Sequence, residues 1–287
     1  MLVDLVKKIP NSKLQEMALV LILVLVSSPM VVMILNALPI ETDYVFYVWA
    51  TIPYLVGDIG WLLGLLFLVR LISSCNYSFV KKIQIFLPLI LLAIFAIWCF
   101  ICDYNSEFRF VALTCYLSMQ DGFFMYFAYG GIILLGLLLS SDKKKLSVLA
   151  NVFLAVSAVM AIIVLLNNDL TELLCRTEYT NSVGYESVFF NSNHYGYYLV
   201  FNVLISAFMF ANIKEGKFKF LYLALYALFT VTLVFNNTFG SYLAIFLTLI
   251  FAVVWINLWL LLIMFLGYIL SLVLCFSFLT KSYLLLC

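Results

Sequence analysis

Blocks of about 20 apolar residues alternate with short polar segments along almost the whole chain, a pattern typical of helices that cross a membrane. Nine such blocks are present, although residues 241–280 carry no charge and allow a count of eight to ten. The pattern predicts an all-α fold: a polytopic integral membrane protein with about nine transmembrane helices in a single membrane domain, residues 1–287. The predicted spans are residues 17–40, 45–70, 83–102, 120–140, 146–167, 195–213, 218–235, 240–258 and 260–280.

The positions of the positive charges predict the orientation of these spans, because loops rich in Lys and Arg stay in the cytoplasm. Lys and Arg are concentrated before span one, between spans two and three, and after spans four and six. The other side holds only Arg109, Arg176 and Lys281, together with most of the acidic residues. We therefore expect the N-terminus to be cytoplasmic.

The composition agrees with a membrane location and excludes several classes of protein. Hydrophobic residues make up 67% of the chain and charged residues 10%, against about 45–50% and about 25% in soluble domains. A water-soluble protein is excluded, nucleic acid is not expected as a partner, and membrane lipids are. One His and seven scattered Cys cannot supply a zinc site, so we expect no metal and no cofactor.

The two longest polar segments lie on the predicted outer side, which is where we expect the function. Asp103–Gln120 mixes charges with aromatic and aliphatic residues and predicts a short helix lying in the membrane interface. Asn168–Asn193 ends in a run of Tyr, Phe, Asn and Ser before span six. Glu186 in that run is a candidate base for a sugar hydroxyl, although an acid in an outer loop is more often simply solvated.

Two predicted helix starts on the outer side are rich in hydrogen-bond donors. Asn191-Ser-Asn-His194 opens span six, where Asn193 or Ser192 suits the N-cap, and Asn236-Asn-Thr-Phe-Gly-Ser241 opens span eight. The start of a helix presents unpaired N–H groups and the positive end of its dipole, which favours an anion such as phosphate. The alternative is that these residues only cap helices and that His194 lies among the lipid headgroups.

The same two motifs resemble those of the O-antigen ligase and polymerase superfamily. The resemblance lies in Asn191-Ser-Asn-His-Tyr-Gly-Tyr-Tyr-Leu199 and, further on, in Asn237-Thr-Phe-Gly-Ser-Tyr-Leu-Ala244. It makes residues 184–287 the start of the family-like region, with the C-terminal part lacking, since family members continue into a large outer loop that carries an essential His. The chain is then either a fragment or a short, divergent relative.

The resemblance implies a membrane glycosyltransferase-like protein that transfers or polymerises an oligosaccharide linked to undecaprenyl pyrophosphate at the outer face of the bacterial plasma membrane. Lipid-linked oligosaccharide is the implied partner, along with other polysaccharide-assembly proteins. Whether the chain is an enzyme depends on whether the missing part is essential. The implied catalytic residues are His194 and Glu186, and the implied pyrophosphate-binding residues are Arg176, Asn191, Asn193, Thr238, Gly240 and Ser241.

Two alternatives remain at this stage: a secondary transporter or flippase subunit, and an inactive fragment of the enzyme. The transporter would need broken helices and polar residues at mid-membrane, and only Asp58 with Pro53 and Gly57 hints at one. A functional role for Asp58 would be to relay a proton or to meet a substrate hydroxyl. The structural alternative is a hydrogen-bonded or protonated residue in a tight helix seam with Gly57, Gly60 and Gly64.

Overall fold

A computed structural model describes residues 9–74, 79–114, 122–166, 169–175, 185–189, 191–213 and 216–255. Its regular structure within these ranges is entirely α-helical, as the apolar blocks predict. The helices are α1 (Asn11–Asn36), α2 (Thr42–Ser74), α3 (Phe79–Tyr104), α4 (Arg109–Thr114), α5 (Phe123–Leu139), α6 (Lys143–Leu166), α7 (Asp169–Leu174), α8 (Ser192–Asn212), α9 (Lys217–Asn236) and α10 (Phe239–Trp255).

Five of the described helices are long and apolar enough to cross a membrane: α1, α6, α8, α9 and the part of α2 from Tyr47 to Arg70. Inside lipid a helix pairs its own backbone N–H and C=O groups, which explains why these apolar blocks are helical. The chain is therefore a multi-pass membrane protein with lipid-contacting helices. Shorter apolar helices lie at Ile90–Tyr104, Phe123–Leu139 and Phe239–Leu249, within three further predicted spans. The predicted span 260–280 lies outside the described residues, so the total of nine stays a prediction.

The chain divides into two compact units, and α1 and α6 contribute residues to both. Unit 1 comprises Met1–Ser28 and Asp43–Val152, and unit 2 comprises Pro29–Thr42 and Phe153–Cys287. The core of unit 1 is a cluster of buried aliphatic side chains from α1, α2 and α5: Leu14, Ala18, Ile22, Val56, Leu63, Leu135, Leu138 and Leu139.

Small residues let α2 and α5 pack closely in unit 1. A Cβ atom added at Gly57 would meet the backbone of Ala128, and one added at Gly131 would meet the carbonyl oxygen of Gly57. Gly60 faces Gly131 in the same way. The predicted glycine seam is thus confirmed, whereas Asp58 lies exposed on another side of α2.

In unit 2, α8 and α9 are antiparallel neighbours, and α10 follows α9 after a tight turn. Asn237 in that turn has the left-handed backbone (φ 51°) and ends α9 through a bond from its N–H to the Leu233 carbonyl. α7 folds back on the end of α6, because the Thr171 hydroxyl donates to the Ile163 carbonyl at 2.6 Å. The starts of α8 and α10 consequently lie at the same end of unit 2.

Candidate functional site

The start of α8 is capped by Asn191, one or two residues before the positions that the sequence favours. Asn191 has extended backbone (φ −149°, ψ 127°), and its side-chain oxygen accepts the N–H of Asn193 at 2.8 Å. The side chains of Asn193 and His194 are exposed. The cap therefore leaves one amide and one imidazole pointing away from the protein interior, beside the positive end of the α8 dipole.

At the start of α10 the polar side chains are buried and form hydrogen bonds with one another. The carbonyl of Thr238 accepts the N–H of Ser241 at 3.2 Å, so Thr238 immediately precedes the helix, which begins at Phe239. The Thr238 hydroxyl donates to the side-chain oxygen of Asn236 at 2.8 Å and lies 2.7 Å from the Ser241 hydroxyl. All three side chains are buried, and Ser241 is 0% exposed. Gly240 packs closely under Tyr197, whose hydroxyl a Cβ atom would meet at 2.5 Å.

These two helix starts touch each other, and we call residues 191–196 and 236–241 the paired helix start. The Asn236 side-chain N–H donates to the Ser192 carbonyl at 3.1 Å. A Cβ atom added at Gly196 would meet the hydroxyls of Ser241 and Thr238 and, at 2.8 Å, the side-chain oxygen of Asn236. Glycine at 196 is therefore what allows α8 and α10 to begin side by side.

A short turn, residues 185–189, lies against the paired helix start. The Asn236 side chain donates a second bond, at 2.8 Å, to the Tyr185 carbonyl. The N–H of Phe189 closes the turn on the Glu186 carbonyl at 3.3 Å, and Ser187 has the left-handed backbone (φ 56°). Partial burial raises the pKa of the Glu186 carboxyl above its ordinary value. Glu186 is thus fixed close to the start of α8, with a carboxyl that takes up a proton more readily than a solvated one.

Buried aromatic and polar side chains pack against one another on the inner side of the first turns of α8. The Tyr198 hydroxyl is 2.6 Å from the Ser157 hydroxyl, and the Phe189, Tyr195 and Tyr198 rings pack together. The Tyr195 hydroxyl and the side-chain oxygen of Asn202 are buried, yet neither has a hydrogen-bond partner within the described ranges. These groups are not among the predicted site residues, although a polar residue such as Asn202 within an apolar span is a recognisable signal.

Cys175 lies at the end of α7 and is buried. Burial raises the pKa of its thiol to about 11. Since the thiolate is the reactive form of cysteine, this thiol is not prepared to act as a nucleophile.

The described part of unit 1 contains two cavities, and Asp103 is the one charged residue that lines them. A cavity of about 480 Å³ is lined in part by Trp98, Cys102, Asp103 and Tyr126. A second, of about 180 Å³, is lined almost wholly by aromatic and aliphatic side chains between α2, α3 and α5. The segment Asp103–Gln120 contains a short helix, α4, as predicted, and its position in the membrane interface stays a prediction.

The predicted site residues thus fall into three groups. Asn191, Asn193 and His194 form an exposed group with Glu186 nearby, whereas Thr238 and Ser241 are buried. Arg176 lies outside the described residues, so its predicted role stays a prediction.

In comparisons with known proteins, no protein-family model, no curated protein and no solved structure matches this chain.

Proposed function

We propose that this chain is a membrane glycosyltransferase-like protein that transfers or polymerises oligosaccharide linked to undecaprenyl pyrophosphate at the outer face of the bacterial plasma membrane. The observation that carries the proposal is the paired helix start. Two donor-rich motifs that are well separated in sequence lie in contact, joined by the bond from Asn236 to the Ser192 carbonyl. The packing of α10 therefore fixes the exposed start of α8 as a surface on which one diphosphate group can bind.

The exposed half of the paired helix start supplies the binding chemistry. The first turn of α8 offers backbone N–H groups and a positive dipole end to an anion, and the exposed Asn193 amide adds a neutral donor. Arg176, from the same outer segment of the sequence, provides the positive charge and bidentate geometry that a pyrophosphate needs. The buried Thr238 and Ser241 and the half-buried Gly240 act on the substrate indirectly, by fixing α10 against α8.

The proposed reaction displaces the pyrophosphate from the anomeric carbon of the donor sugar by an acceptor hydroxyl. The bond between the anomeric carbon and the phosphate oxygen breaks, the new glycosidic bond forms, and a base removes the proton of the acceptor hydroxyl. His194 or Glu186 is that base in this chain. The α8 dipole and Arg176 stabilise the negative charge that develops on the leaving pyrophosphate.

The proposed orientation has the N-terminus in the cytoplasm, nine spans, and the paired helix start outside. Its support is the charge distribution at the ends of the described helices: Lys217 and Lys219 begin α9 at one end of unit 2, whereas Glu186, Asp169 and Glu172 lie near the other. A membrane-impermeant maleimide applied to intact cells should label Asn193→Cys beyond the level of the unsubstituted chain and leave Lys217→Cys at that level. The reverse pattern would exclude an outer site.

The functional test compares two asparagines of the same helix. In cells whose surface polysaccharide depends on this chain, Asn193→Ala, His194→Ala and Arg176→Ala should each shorten or abolish the polymer. Asn212→Ala, at the other end of α8, should leave it unchanged, because within the described residues the Asn212 side chain bonds to the Phe208 carbonyl one turn earlier. Normal polymer in all three site variants at normal expression would remove the proposal.

A further variant separates capping from substrate binding at Asn191. Asn191→Asp keeps a side-chain oxygen that accepts the Asn193 N–H, so the helix start should form normally. It also places a negative charge beside the pyrophosphate. We expect a folded protein with little or no polymer, and a fully active Asn191→Asp variant would argue against an anion at this position.

No specific observation in the described residues favours the transporter or flippase alternative. Its sequence support was a helix broken near Pro53 and Gly57, and α2 is continuous from Thr42 to Ser74. An inactive fragment is distinguished from the enzyme by the functional test itself.

A further inference from the structure

One face of α2 carries a row of exposed residues that repeats every three or four positions. The steps alternate between four and three residues, the pattern by which two helices pack along each other in a left-handed crossing. The aliphatic members are among the more exposed of the chain, and Leu62 is 60% exposed. The row consists of Thr51, Leu55, Asp58, Leu62, Leu65 and Val69.

Asp58 makes this row unlike an ordinary lipid-facing surface. It lies midway along the span Tyr47–Arg70, and its side chain is exposed. It forms no hydrogen bond or ion pair with any residue that the structure describes. A carboxyl group in contact with lipid at mid-membrane is costly, so such residues are almost always covered by protein or water.

Rotation of α2 cannot bring Asp58 into the protein. Another side of the helix holds Gly57 and Gly60, whose backbone packs directly on Ala128 and Gly131 of α5. The Trp61 indole N–H also donates to the Phe127 carbonyl at 2.7 Å. Turning Asp58 toward α5 would break this seam and leave the Trp61 indole without its acceptor. A group that shields Asp58 from lipid must therefore come from outside the pair of helices α2 and α5.

We infer that the row from Thr51 to Val69 is the packing surface for the same row of a second copy of this chain. The two α2 helices run parallel, related by a twofold axis along the membrane normal, with Asp58 facing Asp58. Copies inserted with the same topology are parallel, and a heptad row is complementary to itself under this symmetry. Two carboxyl groups hydrogen-bond when at least one is protonated.

The single polar position also explains why one register is selected. Any shift of one helix along the other by a turn leaves both Asp58 side chains against leucines. Only the symmetric alignment lets each satisfy the other, in the way that one polar residue at a seam position fixes register and number of chains in coiled coils. A second copy supplies the matching polar group at the right height because it has the same sequence.

The first test counts chains in lipid. The full-length protein, labelled and reconstituted in liposomes at decreasing protein-to-lipid ratio, should give two photobleaching steps over a range in which unrelated monomers give one. Asp58→Asn should keep the dimer, since an amide donates and accepts. Asp58→Leu should weaken dimerisation by about tenfold. Single steps for the wild-type chain, or an Asp58→Leu dimer as tight as wild type, would overturn the inference.

The second test asks which face meets the second copy. Leu62→Cys in the row and Leu137→Cys on α5 are both exposed positions of unit 1. In native membranes treated with a thiol oxidant, Leu62→Cys should form a disulfide-linked homodimer, and Leu137→Cys should stay at the level of the unsubstituted chain. Equal cross-linking at both positions, none at 62, or a cross-link from 62 to a different protein would each overturn it.

Each variant also needs a thermal unfolding midpoint close to that of the wild-type chain. If Asp58→Leu does not fold, the photobleaching of Asp58→Asn and the cysteine pair decide the matter. The row lies in unit 1 and the paired helix start in unit 2, so dimerisation and sugar transfer are tested independently.

Discussion

Gly196 of α8 lies directly against the hydroxyl of Ser241 of α10, so closely that no side chain fits between them. The contact joins two motifs that are distant in sequence. It also fixes the position of the exposed α8 start, because movement at 196 displaces the α10 start and the Asn236 side chain that bonds to Ser192.

Gly196→Ala should therefore destabilise the protein, since the added methyl group meets hydroxyl and amide groups that are already hydrogen-bonded to one another. Overpacking of this kind costs about 1–3 kcal/mol. The measurement is thermal unfolding of the purified protein in a fixed detergent. Gly136→Ala is the control, because a Cβ atom there has nothing within 4 Å, and it should be neutral or slightly stabilising. Equal midpoints for both variants would mean that the close contact is absent.

The two tyrosines under the first turn of α8 should respond oppositely to loss of their hydroxyls. Tyr198→Phe removes the 2.6 Å bond to Ser157 and should cost about 0.5–1.5 kcal/mol. Tyr195→Phe removes a buried hydroxyl that lacks a partner in the described part of the chain, and should be neutral or stabilising. Unfolding midpoints of the pair in one detergent provide the comparison. A larger loss for Tyr195→Phe would reveal a partner for that hydroxyl, such as a buried water.

Glu186 should make stability depend on pH. Burial raises the pKa of its carboxyl above the ordinary 4.5, so the folded state binds the proton more tightly than the unfolded state. The stabilisation is fully present below pH 4.5 and is lost as the pH rises through the folded-state pKa.

Glu186→Gln cannot titrate, so the stability of the wild-type chain relative to this variant should fall from acidic to neutral pH. Thermal midpoints of both proteins across that range measure the difference. Glu172→Gln, which removes an exposed acid of α7, controls for a general change in charge. A difference that rises with pH would contradict the burial of Glu186.

Helix positions could be predicted from the sequence because they depend on local properties. Apolar length predicts where α8 and α10 begin, and the spacing of Gly57, Gly60 and Gly64 predicts a close helix contact. The same periodicity places Asp58 off that seam, since successive residues lie about 100° apart around a helix. Asp58 is accordingly exposed and does not lie in the seam with these glycines.

The site could be predicted less completely because it depends on contacts between distant residues. Asn191, Ser192 and Asn193 are all good caps, and the backbone at 191 decides among them. Thr238 and Ser241 have the same chemistry whether they face a ligand or each other, and only the packing of α8 on α10 shows that they are buried. Nothing local to either motif predicts that Gly196 brings them together.

Gly57 and Gly131 should behave as a coupled pair, because a Cβ atom at Gly131 would meet the carbonyl of Gly57 itself. Gly57→Ala and Gly131→Ala should each cost about 1–3 kcal/mol through overpacking. Once one substitution has pushed α2 and α5 apart, the second meets less resistance. The double variant should then lose less than the sum, with a coupling of about 0.5–3 kcal/mol. Unfolding of the four proteins in one detergent gives this cycle, and additive losses would show that the two helices do not separate as one body.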